Sequence, residues 1–150
     1  MRVLLDENTP VQLVEPLRRV LRAHTVDHVD GLRWTSKKDR HLIPDAATRG
    51  YAVLVTKDSN QLDDPDECDA LRRAGIHHVR FRQAEGLKGL ARAMASVIAV
   101  MPEVMDDLAG AGSQRLVRVT GIGDGKRHDV TDPQEDPPRY WRGAQPPRTR

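Results

Sequence analysis

Short apolar runs alternate with helical patterns through the first 120 residues of this chain, and that alternation limits the fold more than any other feature. Val3-Leu4-Leu5 is a continuous apolar run closed by Asp6-Glu7-Asn8, the signature of a buried strand. Val11, Val14, Leu17, Val20 and Leu21 then recur at helical spacing, with Pro16 expected to kink or restart the helix. Residues 24–29 read as a second strand and 31–38 as loop. Asp39 opens a helix that closes near Gly50. Ala52-Val53-Leu54-Val55 is the clearest strand and runs out at Thr56-Lys57-Asp58. A helix over 65–74 stops at Gly75, and 77–81 gives a further strand. Leu87, Leu90, Ala91, Met94, Val97, Ile98 and Met101 mark a long amphipathic helix, and 114–120 a last strand.

A β-α-β-α-β-α-β-α-β order predicts a three-layer α/β/α sandwich around a mainly parallel sheet of about five strands. Right-handed crossovers place every carboxyl strand end on one rim, where such sheets bind ligands. At 150 residues the chain has room for one core, assigned to residues 1–120. Residues 121–150 hold half of the ten prolines and no apolar period, so they are expected to form an extended Pro/Arg-rich arm. Its last twelve residues carry Arg139, Arg142, Arg148 and Arg150 and no acid.

Composition excludes several classes. The lone Cys68 rules out disulfide frameworks and Cys-rich zinc sites and suits a reducing compartment. The start turns acidic after five residues, too early for a signal-peptide core, and no run approaches the roughly 18 apolar residues of a membrane span. A cytoplasmic protein with no membrane partner is expected. Only Phe81, Tyr51, Tyr140, Trp34 and Trp141 are aromatic, too few for a surface of stacked bases. The balance of 24 bases against 22 acids points to no nucleic-acid partner by itself.

The carboxylates are more informative. Asp6 ends the first strand with Glu7 beside it, Asp58 follows the strongest strand, and Asp39 stands at the start of the intervening helix. Carboxylates gathered from separate segments repel unless one is neutralised or a cation joins them. Such oxygen ligands suit Mg²⁺ or Mn²⁺, ions that lower the pKa of a bound water and neutralise charge on a phosphate. Two of the acids also have plainer roles, Asp39 as a helix N-cap and Asp58 as a turn cap; Asp6, directly after a buried strand, is harder to explain that way.

These residues resemble a family. MRVLLDENTP (1–10) looks like the opening of the PIN-like domain family, in its Mut7-C/VapC-type toxin ribonucleases. DRHLIPDAATRG (39–50) is similar to the second motif, and VLVTKD (53–58) to the third. The resemblance runs over about residues 1–120. It implies a metal-dependent ribonuclease, commonly the toxin of a type II toxin–antitoxin pair, with Asp6, Asp39 and Asp58 holding Mg²⁺ or Mn²⁺. Where the family often carries a further acid, this chain reads DSNQ (58–61), which makes Asn60 the candidate for that position.

Asp63 belongs to an acidic cluster with Asp64, Asp66, Glu67 and Asp69; helix N-termini favour such acids, and Asp63 is a secondary candidate for the metal, as is Glu7. Lys37, Lys38 and Lys57 flank the site as candidates for RNA contact. The six histidines show no ligand spacing, and Cys68 has no histidine to activate it. Trp34 either caps the crevice or covers a core edge.

Hydrolysis of RNA phosphodiester bonds is therefore the leading expectation, with RNA, a cognate antitoxin protein and a second copy of the chain as partners. A receiver-like signalling module is an alternative, weakened because receivers place a hydroxyl residue and then a lysine after the next two strands. A catalytically weak PIN-like binding module is another. On the leading reading the +2 total is the sum of a carboxylate site and a basic arm, and it does not exclude nucleic acid.

Overall fold

In a computed structural model the chain is described over residues 1–34, 39–57, 60–122 and 127–141, the side chains of 39, 40 and 60 excepted. Among these described residues six strands make one sheet: β1 (Arg2–Leu5), β2 (Thr25–His28), β3 (Tyr51–Lys57), β4 (His77–Phe81), β5 (Leu116–Val119) and β6 (His128–Thr131). Their spatial order is β2-β1-β3-β4-β5-β6. The first five run parallel, and β6 lies antiparallel on β5.

Strand alternation sends neighbouring side chains to opposite faces and so divides the core in two. Val3, Leu5, Val53, Val55, Val79, Phe81, Val117 and Val119 pack with the apolar sides of α1 (Val14–Val20) and α4 (Gly86–Gly110). Leu4, Leu54 and Leu116 face the other way, onto α2 (Asp39–Thr48) and α3 (Pro65–Ala74). The three-layer sandwich expected of the sequence is the fold observed.

Two prolines resolve differently from a simple break. A 3-10 turn at Val11–Leu13 precedes α1, so Pro16 falls in the helix's first turn, where its missing N–H leaves no bond unmade. Helix α4 continues past Met101, the last residue named in its apolar pattern, straight through Pro102 to Gly110. Val104, Met105 and Leu108 keep its apolar stripe buried for those further turns, which offsets the bond lost at the proline. Helix α3 follows its sequence signals closely. Asp64 caps it through the amides of Asp66 (2.9 Å) and Glu67 (3.1 Å), and Gly75 ends it at φ 70°.

The stretch expected as an extended arm instead returns to the sheet within residues 127–141. Arg118 of β5 pairs with Asp129 of β6 in register and through an ion pair of 3.1 Å, and Arg115 reaches Asp132 at 3.2 Å. Beyond β6, Trp141 is only 5% exposed and packs in the α2/α3 core, with Tyr140 against it. Main-chain pairing needs no apolar period, so β6 left no periodic signal; the aromatic pair was the only anchor legible in that segment.

Trp141→Ala should lower unfolding stability by about 3–5 kcal/mol, as for other buried aromatic truncations. A chain ending at residue 120 should lose at least as much, since β5 becomes a bare edge. Urea midpoints for both variants test this, and unchanged midpoints would restore the independent-arm reading.

Candidate functional site

The strand order reverses between β1 and β3, since β1 leads to β2 on one side and β3 lies on the other. Crevices at such switch points, outside the carboxyl strand ends, are where open α/β sheets bind ligands. Leu5 is in register with Val55, and the Asp6 amide donates to the Val55 carbonyl at 3.0 Å. Asp6 thus comes to stand beside Thr56, on the face that carries α2 and α3.

Asp6 is 3% exposed, which would be costly for a carboxylate without donors around it. Its Oδ1 accepts from the amides of Asn8 and Thr9, both at 3.1 Å. The Thr9 hydroxyl sits 3.0 Å from the same oxygen and 3.1 Å from the Val55 carbonyl, and donates its one proton to either. The Thr56 hydroxyl donates to Oδ2. A second layer holds the first. Buried His28 donates through Nε2 to the Thr9 carbonyl at 2.7 Å, while its Nδ1 accepts from the Asp30 amide at 3.1 Å. Those partners fit the neutral Nε2–H tautomer.

The loop after β3 is fixed from beneath. The 3-10 turn Asn60–Asp63 places Gln61 in the interior, where its Oε1 accepts from His78 Nε2 at 2.9 Å. Burial, and then the charge of Arg80, pushes the His78 imidazole down to about 3, so the ring is neutral at any ordinary pH. Cys68 lies under the same turn with Sγ 3.1 Å from the Leu62 carbonyl. Burial, then the neighbouring Asp63, Asp64 and Glu67, pushes its thiol up to about 11. Cys68 is a packing residue with no thiolate to offer.

Of the residues proposed from sequence, Asp6 is buried at the crevice and Glu7 beside it is exposed. Asp39 opens α2 and Asn60 opens the 3-10 turn, their side chains outside the description; Asp58, Lys37 and Lys38 lie outside the described residues altogether. Lys57 ends β3, half-buried and in register with Phe81. Asp63 is exposed and lines a cavity of about 570 Å³ with Arg80, Arg118 and Asp129. Among the described residues no three His, Cys, Asp or Glu side chains gather as a metal-holding group. The described part of the site is thus one carboxylate with its supports. Trp34 covers a core edge, with the Arg49 guanidinium 4.7 Å from its ring centroid.

Sequence reasoning missed those supports. Thr9 and Thr56 lie inside the quoted motifs but carry no charge to draw attention. His28 and His78 find partners 19 and 17 residues away, a spacing no local pattern contains. The ends of β4 and β5 pass into Arg82 and Thr120, so the hydroxyl-then-lysine order of a receiver is absent there.

A family model described as a PIN-like domain matches residues 1–83 of the 150. No curated protein matches the chain. Among the described residues no helix is long and apolar enough to cross a membrane.

The His78 imidazole sets a pH response. Its folded pKa lies far below the ordinary 6.5, so its contribution is complete above pH 6.5 and drains away as pH falls toward about 3. His77, lowered by burial and by Arg115, acts in the same sense. Stability should fall by up to about 1.4 kcal/mol per pH unit for His78 across that window. In His78→Gln, which keeps a donor but cannot titrate, urea midpoints should fall less steeply with acid; equal slopes would refute the assignment.

Proposed function

This chain belongs to the PIN-like domain family, a nuclease-type fold, and on that premise we propose that it is a divalent-metal-dependent endoribonuclease. The observation that carries the reading is Asp6, a buried carboxylate held by four donor groups at the switch point between β1 and β3. Side-chain donors for a metal would come from Asp6, Asp39 and Asp58, with Asn60 at the further polar position and Glu7 and Asp63 as secondary groups. Their chemistry fits: carboxylate and amide oxygens are the hard ligands that Mg²⁺ and Mn²⁺ take. When bound, such an ion neutralises charge on the phosphodiester and lowers the pKa of water.

The chain's own contribution is orientation. The Asn8 and Thr9 amides and the Thr9 hydroxyl fix Oδ1 of Asp6, and Thr56 fixes Oδ2, so the carboxylate holds one rotamer without further ordering. His28 locks the Thr9 carbonyl, and the His78–Gln61 bond anchors the turn that follows residue 58. Lys57, with Lys37 and Lys38, would contact the phosphate backbone as point charges. The family resemblance supports a toxin role, with a cognate antitoxin protein as partner and a homodimer as the assembly.

Asp6→Asn should reduce cleavage of single-stranded RNA to background while circular dichroism shows an intact fold. Thr56→Val should cut activity by about 10–100-fold, the usual cost of losing a partner of a metal ligand. Full Mg²⁺-dependent cleavage by Asp6→Asn would sink the assignment.

A further inference from the structure

Thr56 is in register with Arg80, Arg80 with Arg118, and Arg118 with Asp129. Asp6 stands beside Thr56, so the row that begins at the candidate site continues across β4, β5 and β6 on the same face of the sheet. Alternation fixes that side: Val79 and Phe81 belong to the α1/α4 core, and Leu116 to the core under α2 and α3. With strands roughly 4.8 Å apart, the Arg80 backbone lies about 10 Å from that of Asp6.

A cavity of about 570 Å³ opens over the far part of this row. Arg80 and Arg118 line it from the sheet, Leu62 from the turn after β3, and Pro137, Pro138 and Arg139 from the segment after β6. That last segment lies beyond the residues the PIN-like family model matches, and the buried Trp141 ties it to the fold.

The three arginines differ in what they already hold. Arg118 is paired with Asp129 at 3.1 Å. Arg80 is half-buried and makes no ion pair or side-chain hydrogen bond among the described residues. Arg139 is exposed, lies 5.1 Å from the Tyr140 ring centroid, and likewise has no ion pair among the described residues. Asp63 and Asp136 also line the cavity, but both are exposed and neither takes up the charge of Arg80 or Arg139. Carboxylates in contact with water are strongly screened, whereas a guanidinium half out of water keeps more of its field. A cation held there without a counter-ion favours an incoming anion, and the planar fork matches the paired oxygens of a phosphate.

We propose that Arg80 and Arg139 form a phosphate-binding subsite for the RNA strand cleaved at Asp6, holding the backbone of a nucleotide next to the scissile bond. The inference rests on the ribonuclease reading for its ligand. Its contacts go to phosphate, so the subsite adds affinity and register without base preference. It also gives the segment after β6 a part in binding substrate.

Anisotropy of a fluorescein-labelled single-stranded oligouridylate, followed across a salt series in the non-cleaving Asp6→Asn background, tests the subsite apart from the chemistry. Adding Arg80→Gln or Arg139→Gln should weaken binding about tenfold. Each should also reduce the slope of log affinity on log salt by about 0.7. Arg80→Lys keeps the charge and loses the fork, so it should keep the slope while losing part of the affinity. Arg22→Gln, an exposed arginine before β2 on the opposite rim, should change neither. Where circular dichroism shows that Arg80→Gln fails to fold, Arg80→Lys and the exposed Arg139→Gln decide. The proposal is overturned if either folded glutamine variant binds like the background, if Arg80→Lys loses a full charge's worth of slope, or if Arg22→Gln costs as much. Cleavage by the unaltered chain with no arginine effect would remove the subsite and leave the ribonuclease reading. No cleavage with the arginine effects intact would do the reverse.

Discussion

Parallel pairing of β1 with β3 sets Leu5 opposite Val55, and this register links the core to the crevice. Side chains alternate along both strands, so it puts Val3, Leu5, Val53 and Val55 together on one face and Leu4 with Leu54 on the other. One step further along the same alternation, Asp6 meets Thr56. A slip of one residue would turn Asp6 into the α1/α4 core and bring Leu5 to the crevice. The apolar burial that holds the sheet therefore also sets the face on which the carboxylate stands, and Thr9 and Thr56 then fix its direction.

Much of this was legible in the residues because the signals were local. The Val3-Leu4-Leu5 run closed by Asp6 marks both a strand and its rim, and Asp64-Pro65 with Gly75 brackets α3 by cap chemistry. What stayed hidden depends on pairings across the fold. His78 with Gln61 and His28 with Thr9 join residues whose proximity exists only after the sheet has formed. Strand β6 was invisible for another reason: it is held by main-chain bonds and by ions at Arg118–Asp129, and sequence periodicity records neither. At Pro102 a local rule was overruled, since the buried face of α4 outweighs one missing hydrogen bond.

Most of the buried polar side chains among the described residues fall into two groups. Asp6, Thr9 and His28 form a chain that ends at the crevice and gives the Asp6 carboxylate a fixed direction. His78, Gln61 and Cys68 lie deeper, below the turn after β3, and serve to seat that turn. Only the first group reaches the crevice. The second restricts where the following residues can go, a constraint of position that leaves no charge at the surface.

Both borders of the sheet are four residues long, β2 on one side and β6 on the other. Strand β6 is polar, reading HDVT, and its His128 and Asp129 are tied to Asp107 and Arg118. Short, charged borders discourage another chain from extending the sheet by strand addition. Association with other molecules is thereby steered toward helical faces and loops, and a protein rich in parallel strands is protected from growing into a fibre.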